Sequence, residues 1–227
     1  MNIMNGNLQS IPYAVTEWNN YARLFSSVTP SMQLDVYKEA CYYLNGNVID
    51  CGCGSAKIAP FLVDNENISS YTGLDYSSEM VEVASWVVNQ LGKINFKICQ
   101  CKIEDYHNGS FDSAVSIQSY YSWPDPNIVL KNIFDLLKPN GTFVLATPNI
   151  NLPLETLARD AWKELLTHPD FEAYKAYNLK LAMNPDAQFI SLDNLVKQVS
   201  QIGFKLEAAH QQHFRGGLNF LVLSKRS

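Results

Sequence analysis

Strand-like and helix-like stretches alternate from residue 46 to residue 149, and this alternation constrains the fold more than any other feature of the chain. NVIDCG is a short apolar run of strand character, and SAKIAPFLV follows it as a helix. SYTGLDY, INFKICQCK, FDSAVSIQSY and GTFVLATPN read as further strands. Between them lie two helices. SSEMVEVASWVVNQL is capped by Ser77 or Ser78, and PNIVLKNIFDLL is ended by Lys138, Pro139, Asn140 and Gly141. Apolar strands separated by helices pack as a parallel sheet covered on both faces. The last two strands, FKLEAAHQQH and LNFLVLSKR, lie too close together for a helical crossover and should pair antiparallel. The expected fold is α/β: a doubly wound, mostly parallel seven-stranded sheet with one antiparallel strand, plus a small helical cap.

One domain is expected over residues 1–227, a length sufficient for a single sizeable core. Residues 1–45 carry two helices. One spans 12–27, with Trp18, Tyr21, Ala22 and Phe25 at helical spacing. The other spans 31–44, with Ser31 as N-cap and Leu34, Tyr37 and Cys41 along one face. Residues 46–149 form the core. Residues 150–190 hold Pro153, Pro169, Pro185 and many aromatics, fit the core pattern poorly, and read as a cap over a pocket. Residues 191–227 close the sheet, beginning with the helix SLDNLVKQVSQIG that ends at Gly203.

A net charge of -5 and the lack of any Lys/Arg run argue against a nucleic-acid partner, since phosphate binding wants a basic face. No apolar run approaches the roughly 18 residues of a membrane span. The opening MNIMNGNLQS lacks the basic-then-apolar order of a secretion signal. Five cysteines, an odd number without the spacing of a secreted disulfide frame, read as reduced thiols of a cytoplasmic protein.

Ligands of an open parallel sheet bind at the C-terminal strand ends, where glycines let the backbone approach closely. NVIDCGCGSAK places Asp50 directly before Gly52 and Gly54, and Asp75 follows at the tip of the next strand. A carboxylate at that second tip is placed to accept hydrogen bonds from ribose hydroxyls. Asp50 would repel a pyrophosphate and suits a ligand with an ammonium group. S-adenosylmethionine has an ammonium, a sulfonium and a ribose, and carries no phosphate. Cys51 with Cys53 and Cys99 with Cys101 raise the alternative of a metal site. A thiolate zinc site needs four ligands at about 2.3 Å from one ion, whereas these pairs belong to strands two positions apart, so no metal is expected.

Three segments carry a family resemblance: VIDCGCGSA, GLDYSSEMVEVA, and the stretch from KIEDYHNGSFDSAVSIQSYY to GTFVLATPN. The chain resembles the class I S-adenosylmethionine-dependent methyltransferases of the small-molecule type, with their Rossmann-like fold. The likeness covers about residues 15 to 150 and resumes from 188 to the end. It implies that Asp50 sits near the methionyl amine and that Gly52 and Gly54, with Cys51 and Cys53, line the methionine end. It implies that Asp75 binds the ribose, that Tyr76 and Met80 flank the adenine, and that Ile103 and Glu104 lie at its edge. Gln118 would sit below the methionine portion. EWNNYARLF resembles the family's lid and brings Tyr21 to the cofactor, with Asn19 and Phe25 replacing the usual Asp and Tyr. Ala56 replaces the third glycine, and Lys102 stands where many relatives have Asp.

Methyl transfer from a sulfonium is a direct displacement, for which an enzyme supplies mainly alignment and desolvation. Tyr120 and Tyr121 are candidates to align the acceptor or take its proton, and His168 or His213 is the candidate general base. The acceptor is expected against Tyr13, Trp18, Tyr120, Tyr121 and Tyr174. With Trp162, Phe171 and Tyr177 in the cap, these describe a small apolar or aromatic molecule. The Asp-x-x-Asp-Asn cluster of metal-dependent catechol methylation and the Asn/Asp-Pro-Pro-Tyr/Phe motif of amide methylation are both missing. A methyltransferase acting on a peptide or protein terminus, a catalytically silent cofactor-binding module and a nicotinamide dehydrogenase are the alternatives. A monomer or homodimer is expected.

Overall fold

The computed structural model describes residues 14–226. Strands β1 (Gly46–Cys51), β2 (Ile68–Asp75), β3 (Phe96–Gln100), β4 (Phe111–Ile117), β5 (Leu137–Pro148), β6 (Phe204–His210) and β7 (Leu218–Lys225) form one sheet. Their lateral order is β3-β2-β1-β4-β5-β7-β6. Neighbours are parallel except where β7 meets β5 and β6. The short link from His210 to Leu218 cannot hold a crossover helix, so β7 reverses.

Side chains alternate across β1 and fill both layers. Val48 packs with Val36, Ala40 and Tyr71 on one face, while Ile49 packs with Leu130, Ile133 and Leu145 on the other. Both residues are wholly buried, which explains the unbroken apolar run. The covering helices are α1 (Val15–Ser27), α2 (Ser31–Cys41), α3 (Ala59–Leu62), α4 (Ser78–Gln90), α5 (Pro126–Leu136), α6 (Leu154–Leu165), α7 (Phe171–Ala182) and α8 (Leu192–Ile202). Several of their ends obey local signals. Ser77 caps α4 by accepting from the Met80 N–H, and Asp125 caps α5 ahead of Pro126. Gly203 ends α8 with φ +116°.

Three local expectations change. Ser31 is the first residue of α2 and does not cap it; Pro30 holds the N-cap position, and the Ser31 hydroxyl bonds Glu164 of α6 at 2.7 Å. The helix expected after the glycine loop shrinks to the single turn α3, because residues 54–58 are spent on turns around the loop. β5 begins directly after α5, at Leu137, and takes in Lys138, Pro139 and Asn140. Its register against β4 jumps from Phe111–Leu137 to Ser113–Thr142, which accommodates Pro139 and the Asn140 φ of +63°.

β1 lies between β2 and β4, so the connections leaving β1 and β4 diverge. That divergence opens a crevice at the strands' C-terminal ends. A third apolar cluster closes over it, joining Tyr21 and Ala22 of α1, Met80 of α4, Ala161 of α6, and Phe171, Tyr174 and Leu181 of α7.

Candidate functional site

The crevice is a cavity of about 780 Å³ at the ends of β1, β2 and β4, beneath α1, α2, α6 and α7. Asp50, Gly52, Cys53, Gly54 and Asp75 line its floor. Gly52 has φ +78°, and a Cβ there would lie 2.5 Å from the Ser119 side chain, so only glycine fits. Gly54 has φ +53° and faces Phe25, whose ring a Cβ would touch at 3.0 Å. The loop is pinned to β2: the Gly52 and Cys53 N–H groups both donate to the Leu74 carbonyl, at 2.9 and 2.8 Å.

Two acids flank this loop. Asp50 is almost wholly buried and accepts the Tyr71 hydroxyl at 2.7 Å. Burial pushes its carboxyl up to about 7; the Tyr71 hydrogen bond opposes that rise and the neighbouring Asp75 charge adds to it. Asp75 accepts from the Gly54 N–H and the Ser77 N–H, each at 2.9 Å. Burial still carries its carboxyl to about 6. The Ser77 hydroxyl donates to Asn19 Oδ1 at 2.7 Å, so the lid helix α1 is fastened at the start of α4.

Tyr76, Met80, Ile103 and Glu104 line one end of the cavity, and Gln118 lies at the end of β4 with φ +58°. Strained backbone at a strand tip is a recurrent mark of ligand sites. Trp18 and Tyr21 of α1, Tyr121, and Tyr174 of α7 line the upper part. Tyr21 stacks on Tyr177 with centroids 4.5 Å apart, and its hydroxyl accepts from Asn178, which knits lid to cap. Tyr13 lies outside the described residues.

Four expected residues do not line this cavity. Cys51 is wholly buried and belongs to the same face of β1 as Ile49, the face turned away from Asp50. Tyr120 packs in the core against Trp123 and donates to Gln198 at 2.6 Å; of the two tyrosines in that tight turn, Tyr121 is the one that reaches the cavity. His168 lies beyond α6, where its Nδ1 accepts from the Asp170 N–H. His213 pairs with Glu39 Oε2 at 2.6 Å, and His210 takes the other carboxylate oxygen at 2.8 Å. These two histidines tie the β6–β7 link to α2. Changing His213 to Gln is therefore expected to lower unfolding stability by about 1 kcal/mol while any methyl-transfer rate stays within about twofold, a pattern that chemical denaturation and a turnover assay would read. Among the described residues, Glu39, His210 and His213 form a group of three potential ligands close enough to share an ion, and that group contains no cysteine.

Residues 44–173, more than half of the chain, match the model of a methyltransferase domain. The chain belongs to that methyltransferase family. An O-methyltransferase of Pyrenophora dematioidea is 27% identical over 197 residues, covering 82% of this chain and 65% of that protein. The chain thus spans a little under two thirds of that relative. A ubiquinone/menaquinone biosynthesis C-methyltransferase of Geotalea daltonii is 28% identical over 187 residues, covering 76% of each. The solved plantazolicin methyltransferase, in complex with a triazolic desmethyl analogue and S-adenosylhomocysteine, superposes with a TM-score of 0.67 at 14% identity, covering 97% of both chains. The fold is that of the class I S-adenosylmethionine-dependent methyltransferases.

Lys57, Gln33 and Ser119 are among the cavity residues that the sequence reading did not single out. Lys57 and Gln33 line the wall beneath α1 and α2, and Ser119 lies against the glycine loop. The Ser119 hydroxyl donates to the Cys51 carbonyl at 3.0 Å and accepts from Trp123 Nε1 at 3.1 Å. For Lys57 a signal existed, an isolated cation directly after the loop. For Gln33, on a helix 20 residues upstream, none did.

Proposed function

We propose that this methyltransferase carries a methyl group from S-adenosylmethionine to a small, largely apolar acceptor by direct displacement. The carrying observation is the pair of acids, Asp50 buried and Asp75 half-buried, on either side of a glycine loop under a roofed apolar chamber. The donor set fits the cofactor chemically. Asp50 is a counter-charge for an ammonium, Asp75 an acceptor for two ribose hydroxyls, and Gly52 leaves backbone where a Cβ cannot stand. Tyr76, Met80 and Ile103 offer apolar surface to a flat base, with Glu104 at its edge. Bound there, the cofactor would supply an electrophilic methyl on a sulfonium. This chain's own part is to orient both partners and exclude water.

The acceptor chamber is walled by Leu154, Leu157 and Ala161 of α6, Phe171 and Leu179 of α7, and Phe189. Tyr121 stands edge-on to Phe189, with ring centroids 5.9 Å apart, and is the residue placed to align an acceptor. The roof formed by α6 and α7 favours a compact molecule over a long peptide. No helix among the described residues is long and apolar enough to cross a membrane, and the free thiols suit a reducing cytoplasm.

Calorimetry with S-adenosylhomocysteine tests the donor half, and mass spectrometry of reactions with phenols, amines and thiols tests the acceptor half. Saturable binding and a product heavier by one methylene are expected. Failure to bind the cofactor product at about 1 mM would remove the proposal.

A further inference from the structure

Lys57 is a cation set into the cavity wall, and none of its partners among the described residues carries a counter-charge. Its amine lies 3.8 Å from the centroid of the Phe25 ring. It donates to the Val28 carbonyl at 2.8 Å and to Gln33 Oε1 at 3.3 Å. All of these partners are neutral, and an ammonium has three N–H donors. Burial draws the Lys57 amine down to about 7, with no opposing charge to hold it up. A lysine desolvated in this way is costly to the free protein. The cost is recovered where a ligand brings an anion.

The surroundings indicate which anion. Gln33, which receives Lys57 on its Oε1, donates through Nε2 to Gln118 Oε1 at 2.7 Å. A polar line Lys57–Gln33–Gln118 therefore joins the glycine loop, α2 and the end of β4 across one side of the cavity. Asp50 lines the same cavity, giving it an acid as well as a base. Of the cavity's acids and lysines, Asp50 directly precedes the glycine loop and Lys57 directly follows it, and that pair matches the two charges of an α-amino-acid head.

We propose that Lys57, held by Gln33, is the counter-ion for the carboxylate of the cofactor's methionyl group. This rests on the cofactor reading above, and the test separates the two. S-adenosylhomocysteine and 5′-methylthioadenosine share the adenosine and the thioether sulfur, but only the first has the amino-acid head. Binding of both to the full-length protein would be measured by calorimetry, for the wild type and for Lys57→Met, Lys57→Gln and Lys57→Arg. The methionine and glutamine variants are expected to lose about 10- to 100-fold in affinity for S-adenosylhomocysteine, the span of one charge-assisted hydrogen bond, with 5′-methylthioadenosine binding unchanged within about twofold. Arginine should restore most of the loss. Equal losses on both ligands, or undiminished S-adenosylhomocysteine binding by either neutral variant, would overturn the assignment. Should the methionine variant not fold, the glutamine variant decides, since its amide can still donate to the Val28 carbonyl. A wild-type protein that binds neither ligand would overturn the cofactor reading itself.

Discussion

Asp75→Ala is expected to lower the affinity for S-adenosylhomocysteine by a factor on the order of 10²–10³, because two hydrogen bonds to a charged acceptor are lost together. The carboxylate stands at the tip of β2, where its oxygens accept from the Gly54 and Ser77 N–H groups. It holds the second glycine of the loop, and in the proposed cofactor site it would also offer acceptors to a ribose. Alanine removes both, so the glycine loop also loses its anchor at Gly54. Asp75→Asn separates the two roles. One amide oxygen can still accept from Gly54, so the loop keeps its place while the charge is gone, and an intermediate loss of affinity is expected. Calorimetry reads both variants. Affinity unchanged in the alanine variant would take Asp75 out of the cofactor site.

The ligand-free protein should be least stable near neutral pH, as far as the cavity's own charges decide it. Asp50 has its carboxyl raised to about 7, and Asp75 to about 6, each chiefly by burial. The folded chain therefore holds protons that the unfolded chain has released, and stability falls as pH rises from about 4 to about 7. Lys57 acts in the opposite window. Its amine is lowered to about 7, so the unfolded chain holds the proton and stability rises between about 7 and about 10.5. Tyr71 and Asp75 face Asp50, while neutral groups face Lys57, so the two windows arise from separate surroundings. Each limb should amount to a few kcal/mol, on the order of 1.4 kcal/mol for every tenfold difference in proton affinity between the folded and unfolded chain. Denaturant unfolding across that pH range reads the profile. Asp50→Asn should shrink the acid limb to the part that Asp75 contributes, and Lys57→Met should flatten the basic one. A profile unchanged by both substitutions would show that these groups are not buried as charges.

Much of the fold was legible because its signals are local. The alternation of apolar runs and helical stretches needs only the spacing of neighbouring residues, and it yields a covered parallel sheet with a reversed strand near the end. Ser77, Asp125 and Gly203 mark helix ends through hydrogen bonds and backbone angles within a few residues. The glycine loop with its two acids is likewise short-range, since Asp50, Gly52 and Gly54 follow one another and Asp75 ends the next strand. Elsewhere the local signal misled. Ser31 looks like a cap but is drawn to Glu164, a residue 133 positions away. Pro139 and Asn140 look like the end of an element, yet a register jump keeps them in β5.

The sequence alone determined the layered α/β architecture, the position of the loop and the acids that line the cavity floor beside it, because each depends on contacts between near neighbours. The tertiary structure decided which aromatic of the Tyr120–Tyr121 pair enters the cavity, since the packing of Tyr120 against Trp123 sets the rotation of that turn. It decided that His213 pairs with Glu39 of α2 and does not enter the cavity, a pairing across 174 positions that no spacing encodes. It also brought Lys57, Gln33 and Gln118 into one line, although they lie on a loop, a helix and a strand end. Such a line exists only once separate elements have packed, because side-chain direction there is set by burial and hydrogen bonding across the sheet.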